Sequence, residues 1–139
     1  MARSRTARAP AHRLILDAGA VIALARRDLR ARAALTAAWE VGAEVVVPAV
    51  VVAETVRGRG ARDAPVNRVI NAVGLVAPAT EERARTAGAL LGRTKRDDTI
   101  DALVVAEAID RGGGVVLTGD VDDLRRLAAG HDEVVIQPL

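Results

Sequence analysis

The chain has 139 residues, of which 20 are basic and 18 acidic, and a formal net charge of +2 at pH 7. This length suffices for one domain with its own hydrophobic core, so no second domain needs to be invoked. The sequence contains no cysteine, which excludes disulfides, thiolate zinc sites and a cysteine nucleophile.

The basic residues are unevenly distributed, and almost all of them are arginine. Residues 1–13 contain four arginines and no acid, which leaves 16 basic against 18 acidic residues in 14–139. Lys95 is the only lysine, and Trp39 is the only aromatic residue. Arginine favours bidentate contacts with phosphate, but a G+C-rich genome would produce the same composition. A nucleic-acid partner would be contacted through arginine and backbone, since aromatic platforms for base stacking are lacking.

The amino terminus is predicted to be an extension of the fold. We assign residues 1–12 to a basic, disordered arm, or to a start codon placed too early, and residues 13–139 to a single domain. The arm and the apolar stretch Leu14–Ala25 resemble a signal peptide, but Asp17 interrupts that stretch. No run of 18 uncharged apolar residues is present elsewhere, which disfavours a membrane span. The cytoplasm is the expected compartment, since the lack of cysteine is compatible with a reducing environment.

Short apolar segments alternate with helix-length segments along the chain. The predicted elements are, in chain order, strand Leu14–Leu16, helices Ala18–Arg27 and Leu29–Val41, strand Glu44–Val47, helices Ala49–Arg57 and Ala64–Ala72, strand Leu75–Ala77, helices Glu81–Leu91 and Thr99–Arg111, strand Val115–Thr118, helix Val121–Ala129 and strand Val134–Gln137. Short, continuously apolar strands are typical of parallel sheets that are buried on both faces. The alternation predicts the α/β class, as a three-layer α/β/α sandwich with a central parallel sheet of about five strands.

Residues with strong local preferences mark the ends of these segments. Pro48 is predicted in the first turn of the helix after the second strand, and Thr80 begins a helix with an acidic first turn. Gly112–Gly114 is predicted to end the preceding helix. Gly58–Ala61, which reads Gly-Arg-Gly-Ala, is predicted to be a flexible surface loop.

Four acids interrupt or end apolar runs, namely Asp17, Glu54, Asp101 and Asp120. Asp17 follows the first strand directly, and Asp120 lies two residues after the end of the fourth strand. Because the carboxyl ends of parallel strands share one edge, these two acids would meet there if the strands are neighbours. Clustered acids raise one another's pKa and favour a hard divalent cation among them. The sequence therefore predicts a metal site centred on Asp17 and Asp120, with Glu54 and Asp101 completing it or holding a second ion.

Three of these acids also have a simpler interpretation when each is taken alone. Asp17 and Asp120 each precede a helical segment, where aspartate is a common N-cap. Glu54 fits an ordinary position at the solvent edge of its helix.

The fourth acid, Asp101, is placed by helical geometry. Residues advance by about 100° around a helix, so Asp101 lies about 120° from Glu107. We expect Glu107 to mark the solvent-facing stripe of this helix together with Asp110 and Arg111, which places Asp101 off that stripe. The simpler interpretation is an acid in the first turn, where the helix dipole favours it.

Four segments resemble the ordered acidic motifs of PIN-domain ribonucleases, most closely those of the VapC-type toxins of bacterial and archaeal toxin–antitoxin pairs. The segments are Leu14–Leu24, Val47–Glu54, Asp98–Ala106 and Val115–Leu124. The resemblance covers about residues 14–139. One departure follows the first acid, where many members have Ser or Thr within two residues and this chain has Ala18 and Gly19.

The resemblance implies roles for individual residues. It implies that the catalytic, metal-binding acids are Asp17, Glu54, Asp101 and Asp120. Auxiliary acidic candidates are Asp98, Asp122 and Asp123. Thr118 matches a small polar position that often precedes the last acid. The implied cofactor is Mg²⁺ or Mn²⁺, which oxygen ligands suit. The two histidines, His12 and His131, lie outside the motifs, which disfavours a zinc site.

The implied activity is that of a metal-dependent endoribonuclease. A metal-activated water would hydrolyse RNA to leave 5′-phosphate and 3′-hydroxyl ends. The resemblance also implies a homodimer and a cognate antitoxin that places a peptide, often with a basic side chain, into the acidic groove. Candidate contacts with RNA phosphates are Arg57, Arg59, Arg62, Arg93, Lys95 and Arg96.

Two other classes of protein were weighed against this interpretation. A phosphotransfer domain of the receiver or haloacid-dehalogenase kind fits worse, because Gly19 stands where the dehalogenase pattern has a second Asp and Lys95 is not at a strand end. Neither GxGxxG nor GxxxxGK[ST] occurs, which argues against dinucleotide and P-loop sites. A catalytically inert module that binds RNA or an antitoxin remains open at the level of sequence, although intact acids in all four motifs count against it.

Overall fold

The computed structural model describes residues 12–139, so all but the last residue of the predicted amino-terminal arm lies outside the described residues. The elements in this part of the chain are β1 (Arg13–Leu16), α1 (Ala18–Ala25), α2 (Leu29–Glu40), β2 (Glu44–Pro48), α3 (Ala49–Thr55), α4 (Gly60–Val73), β3 (Val76–Ala77), α5 (Glu81–Thr94), α6 (Thr99–Asp110), β4 (Gly114–Thr118), α7 (Val121–Ala128) and β5 (Val134–Pro138). Each predicted strand and helix therefore has a counterpart in the structure.

The strands form one parallel sheet in the order β3-β2-β1-β4-β5. Strand β1 is central, and its Ile15 pairs with Val46 of β2 on one side and Val116 of β4 on the other. The chain builds outward from β1 through β2 to β3, and then crosses to the other side of β1 to add β4 and β5. The strand order thus reverses between β1 and β4, and ligands bind at such a point in open parallel sheets.

Helices cover both faces of this sheet and make the three-layer sandwich that the sequence predicted. Helices α1, α2 and α4 pack against one another and against β1 and β2, whereas α5, α6 and α7 form a second group over β1, β4 and β5. The apolar residues of β1 are buried almost completely, with Ile15 and Leu16 fully inaccessible. Burial on both faces explains why the strands read as continuous apolar runs.

Two of the predicted element boundaries are wrong. Gly58–Ala61 is not a flexible loop, because α4 begins at Gly60 and the carboxylate of Asp63 in its first turn accepts hydrogen bonds from the N–H groups of Arg57 and Arg59. Pro48 does not lie in the first turn of α3; it ends β2 in an extended conformation and serves as the N-cap of that helix. None of the helices within residues 12–139 has the length and hydropathy that a membrane-spanning helix requires.

The prediction for the solvent face of α6 is also wrong at Glu107, which is only 1 % exposed. Its carboxylate accepts hydrogen bonds from Arg83 of α5, at 2.9 Å from Nε, and from Arg111. Helix α5 covers this face, so the two arginines replace the water that a surface glutamate would have. The position of Asp101 therefore has to be judged from its contacts and not from the predicted stripe.

The ion pairs of Glu107 extend to the amino edge of the sheet. Arg111 also contacts Glu44 at 3.1 Å, and Glu44 contacts Arg13 at 3.0 Å, at the first residues of β2 and β1. Arg13 additionally donates to the carbonyl oxygens of Arg111 and Gly113. This network ties α6 and the turn before β4 to the two central strands.

Candidate metal centre

The carboxyl edge of the sheet carries a cleft of about 180 Å³ that is lined by all four acids singled out in the sequence. We call Asp17, Glu54, Asp101 and Asp120 the cleft acids. They come from four different places: the end of β1, the last turn of α3, the first turn of α6 and the turn after β4. Four elements thus converge at the point where the strand order reverses.

Asp17 is the most buried of the cleft acids, with 7 % of its surface exposed. Its Oδ1 accepts a hydrogen bond of 2.8 Å from the N–H of Ala20, so the residue is the N-cap of α1. Its Oδ2 accepts a hydrogen bond from the hydroxyl of Thr118. The N-cap interpretation and the metal-site interpretation of Asp17 are therefore compatible, because each carboxylate oxygen can accept more than one bond.

Thr118 connects the two acids at the strand ends. Its hydroxyl, which is fully buried, donates to Asp17 and accepts a hydrogen bond of 2.8 Å from the N–H of Asp120. Asp120 begins α7 without using its side chain as a cap, and its carboxylate is exposed at the cleft. The hydroxyl thus fixes the relative position of β1 and the turn that carries Asp120.

Glu54 and Asp101 complete the lining from the helices. Glu54 lies in the last turn of α3 and is exposed, whereas Asp101 lies in the first turn of α6 and is partly buried. The two helices are in contact. Both acids point into the cleft that also contains Asp17 and Asp120.

The protonation equilibria of the cleft acids are all shifted toward the neutral form. Burial raises the pKa of Asp17, and burial followed by the charge of Asp17 raises the pKa of Glu54. Burial, together with the charges of Asp120 and other acids nearby, raises the pKa of Asp101 to about 6. The pKa of Asp120 is raised as well, by burial and then by Asp123.

Burial is the main cause of each of these pKa shifts, and the negative charge of at least one neighbouring acid adds to it. Within residues 12–139, none of the cleft acids forms a salt bridge with an arginine, lysine or histidine. Four carboxylates facing one cleft supply an oxygen-only donor set, which fits a hard divalent cation such as Mg²⁺ or Mn²⁺. A cation there would remove the mutual repulsion.

Two of the three auxiliary acids lie next to the cleft. Carboxylate oxygens of Asp98, Asp101 and Asp123 are within 4.8 Å of one another, and we call these three residues the outer triplet. Asp101 belongs to both groups. Asp122 is exposed on the first turn of α7 and lines neither the cleft nor the triplet.

Most of the predicted phosphate-binding residues already have partners within the chain. Arg57 donates to the carbonyls of Ala53 and Val56, and Arg93 donates to the carbonyl of Leu127. Arg96 bridges two acids of the outer triplet.

Asp63 organises the loop that carries Arg57 and Arg59 and the first turn of α4 that carries Arg62, a role that the sequence did not predict. Its side chain is buried and accepts hydrogen bonds from the N–H groups of Arg57 and Arg59 and from the guanidinium of Arg62. Burial would raise the pKa of Asp63, but these hydrogen bonds lower it to about 2. In the sequence Asp63 directly precedes the predicted helix Ala64–Ala72, and no motif singles it out.

Gly19, two residues after the first acid, lies close to the turn after β4. A Cβ atom at this position would lie 3.3 Å from the backbone nitrogen of Gly119 and 3.4 Å from Oδ1 of Asp17. Helix α1 and the turn after β4 are thus too close for a larger side chain without a shift of the backbone. The hydroxyl that contacts Asp17 comes from Thr118 on the neighbouring strand.

A second concave surface lies at the other end of α1. It is a groove of about 190 Å³ between α1, α2 and α4, with Leu24, Leu35 and Val69 among its apolar lining. Its basic lining residues are Arg27, Arg32 and Arg68. We call it the α1–α4 groove.

Solved structures of other proteins share this architecture. No curated protein matches the sequence. Among solved structures, VapBC2 from Rickettsia felis bound to a promoter DNA fragment superposes with a TM-score of 0.72 and 11 % identity, over 91 % of this chain and 98 % of the other. A toxin–antitoxin complex from Klebsiella pneumoniae gives 0.66 and 21 %, over 88 % and 95 %. FitAcB from Neisseria gonorrhoeae gives 0.63 and 19 %, also over 88 % and 95 %.

At these identities the solved structures share the fold, and the sequence itself identifies the family. Residues 14–130 match the PIN domain, which is most of the chain and includes all four cleft acids. The chain therefore belongs to the PIN-domain family.

Proposed function

We propose that this protein is a metal-dependent ribonuclease that hydrolyses RNA phosphodiester bonds to leave 5′-phosphate and 3′-hydroxyl ends. The observation that carries the proposal is the convergence of Asp17, Glu54, Asp101 and Asp120 on one cleft without a basic partner among the described residues. Membership of the PIN-domain family supports it, since PIN domains are generally nucleases.

The cofactor in this proposal is Mg²⁺ or Mn²⁺, held by the cleft acids. Such an ion would neutralise the carboxylates, polarise the scissile phosphate and lower the pKa of a bound water. The residues of the chain supply the geometry. Asp17 is held rigid by Ala20 and Thr118, so its free lone pairs have a fixed direction toward the cleft. Glu54 is exposed at the rim, where its carboxylate can accept a hydrogen bond from the attacking water and orient it.

The substrate strand is expected to cross the cleft beside the loop between α3 and α4. This loop carries Arg57 and Arg59 next to Glu54, Arg62 follows in the first turn of α4, and Asp63 holds the backbone of the loop in place. Because water is the nucleophile, the 2′-hydroxyl of the scissile ribose is not required. Replacing that ribose by deoxyribose should leave cleavage largely intact, whereas a 2′,3′-cyclic product would contradict the mechanism.

The deciding experiment is cleavage of RNA by the wild-type protein and by Asp17→Asn, with Mg²⁺ or Mn²⁺ and with a chelator. Asparagine is as good an N-cap as aspartate, so the variant removes a charge from the cleft while keeping the cap. Asp28→Asn is the matched control, because Asp28 caps α2 in the same way and does not line the cleft. We expect loss of cleavage in Asp17→Asn and in the chelator, and unchanged cleavage in Asp28→Asn.

The same experiment distinguishes the alternative of an inert binding module. Such a module would bind RNA or a protein partner without cleaving RNA, and Asp17→Asn would then bind as the wild type does. Equal cleavage by wild type and Asp17→Asn would refute the site itself.

We further propose that the protein is the toxin of a toxin–antitoxin pair and forms a homodimer. The structure of similar fold from K. pneumoniae is described as a toxin–antitoxin complex, and the one from R. felis as VapBC2 bound to a promoter DNA fragment. An antitoxin segment that supplies a basic side chain to the cleft would neutralise the cleft acids. The α1–α4 groove, with its apolar floor and three arginines, fits an apolar segment that also carries acids.

The partner proposal is tested by co-expression with the neighbouring open reading frame and light scattering of the purified material. A complex that contains two copies of this chain and no RNA cleavage would support it. A monomer that cleaves RNA equally well with and without the co-expressed protein would contradict it.

A further inference from the structure

The acids at the carboxyl edge form two overlapping groups, and a divalent cation could bind to either of them. The cleft acids face the cavity, and the outer triplet of Asp98, Asp101 and Asp123 lies beside it. Asp101 is shared, so a cation in one group affects the other. Both groups consist of carboxylate oxygens, and coordination chemistry alone does not separate them.

An arginine distinguishes the two groups. Nε of Arg96 donates to Oδ2 of Asp98, and Nη2 donates to Oδ1 of Asp123, each at 2.7 Å. These are the short distances of charge-assisted hydrogen bonds. The side chain of Arg96 is only 24 % exposed, unlike that of Arg126, which reaches Asp123 from solvent and is 62 % exposed. No arginine makes a corresponding contact with the cleft acids within residues 12–139.

The backbone holds Arg96 in this position. Helix α5 ends at Thr94, and its C-cap Lys95 adopts the left-handed conformation with φ of 57°. The N–H groups of both Lys95 and Arg96 donate to the carbonyl of Leu91. This turn directs the chain back toward the start of α6, where Asp98 lies. The guanidinium of Arg96 thus lies between Asp98 at the start of α6 and Asp123 of α7.

We propose that Arg96 is a positioning residue that acts as a built-in counter-cation of the outer triplet and keeps a second divalent ion out of it. Metal binding is thereby directed to the cleft acids, with which no arginine of residues 12–139 forms a salt bridge. This inference rests on the proposed metal dependence, and it departs from the expectation that the auxiliary acids help to bind metal. It also accounts for the pairing of Arg96 with Asp98 and Asp123 beside the cleft.

The test is the number of Mn²⁺ ions bound per chain, counted from the electron paramagnetic resonance signal of free Mn²⁺ during a titration without RNA. Arg96→Met removes the guanidinium and frees Asp98 and Asp123. We expect this variant to bind one Mn²⁺ more per chain than the wild type. The double variant Arg96→Met/Asp123→Asn should return to the wild-type number.

Arg126→Met is the matched control, because it removes an arginine from Asp123 while Arg96 still bridges the two acids. It should bind the wild-type number of ions. The inference is overturned if Arg96→Met binds no additional ion, if Arg126→Met gains one as well, or if the extra ion persists in the double variant. Should Arg96→Met fail to fold, Arg96→Gln is titrated with the same outcomes.

This result is separate from the outcome of the proposed function. Ion counting requires no RNA, so a protein that binds Mn²⁺ with the expected difference but cleaves no RNA would refute the ribonuclease proposal alone. A wild-type protein that cleaves RNA, with the same ion count in Arg96→Met, would refute the role of Arg96 alone.

Discussion

At the level of single residues, the buried hydroxyl of Thr118 contacts both of the acids that follow the central strands. It is the hydrogen-bond donor to Asp17 and the acceptor for the N–H of Asp120, so it links two strands through one oxygen. Groups that orient a metal ligand in this way affect both the direction and the basicity of the ligand. The valine that matches threonine in shape can do neither.

Thr118→Val should therefore lower the rate of RNA cleavage by about 10- to 100-fold, as is usual for groups that orient metal ligands. The lost hydrogen bond favoured the charged form of Asp17, so the pKa of Asp17 should rise further. Rates measured at several pH values would reveal both effects. Thr118→Ser keeps the hydroxyl and should stay near the wild type; an equal loss in both variants would contradict this role.

The raised pKa of Asp101 determines how the stability of the metal-free protein should depend on pH. Its pKa is about 6 in the folded chain, above the usual value near 3.9 for an unfolded chain, so the folded state binds the proton more tightly. Stability from this group is therefore fully present below about pH 4 and is lost as the pH rises through 6. The other cleft acids, whose pKa values are also raised, act in the same direction.

Without metal, the melting temperature should thus fall between pH 4 and pH 7 because of the cleft, and Asp101→Asn should weaken this fall. Addition of Mn²⁺ at pH 7 should raise the melting temperature of the wild type more than that of Asp101→Asn. Thermal melts in chelator and in Mn²⁺ measure both quantities. If the melting temperature of the metal-free wild type changed with pH in the same way as that of Asp101→Asn, the result would argue against uncompensated charge in the cleft.

At the level of elements, the short connection between α3 and α4 depends on one buried acid. Asp63 accepts hydrogen bonds from two backbone N–H groups of the loop and from Arg62, and it lies within the helix that the loop precedes. Gly58 gives the backbone of the loop conformational freedom, which the hydrogen bonds to the carboxylate of Asp63 restrict. The basic side chains next to Glu54 are therefore carried on an ordered segment.

Asp63→Ala should increase the rate of amide hydrogen exchange at Arg57 and Arg59, because their N–H groups lose their acceptor. RNA binding should weaken through the disordered loop, while Mn²⁺ binding in the cleft should remain. Arg62→Met is the matched control, since it removes one side-chain partner and leaves both backbone bonds. Unchanged exchange at Arg57 and Arg59 in Asp63→Ala would show that the loop is held by other contacts.

The elements also show what the sequence can and cannot predict. Short apolar strands and the helices between them were identifiable because local periodicity and burial on both faces determine them. Asp17 and Asp120 were predicted to share an edge because both follow strands, and the adjacency of β1 and β4 brings them together. Burial of Glu107, the clamp of Asp63 and the bridge of Arg96 were missed. Glu107 and Arg96 depend on partners from other helices, and Asp63 depends on the shape of the turn before its helix, neither of which local patterns encode.

At the level of the whole molecule, stability and the candidate chemistry reside at different places. Glu107 is buried between Arg83 and Arg111, and this group continues through Glu44 to Arg13 at the amino edge of the sheet. Removing one member of a buried ion pair leaves an uncompensated charge in a region that water does not reach.

Glu107→Ala should lower the free energy of unfolding by about 3 to 5 kcal/mol, the usual cost of breaking a buried pair. Glu81→Ala is the control, because Glu81 and Arg85 form an exposed pair on α5 that should contribute less than about 1 kcal/mol. Urea denaturation measures both. If the two variants lost the same small amount, the network would have no structural importance. Mn²⁺ binding measured under native conditions should be the same in both.

The separation of the two edges has a practical consequence for anyone studying this protein in solution. Strands of four or five residues put about 15 Å between the acidic cleft and the turn after α2. Glu40 is exposed at that turn, and the chain has no cysteine. A single thiol introduced as Glu40→Cys could therefore carry a fluorophore at one defined point away from the cleft, from which the arrival of RNA at the cleft can be observed.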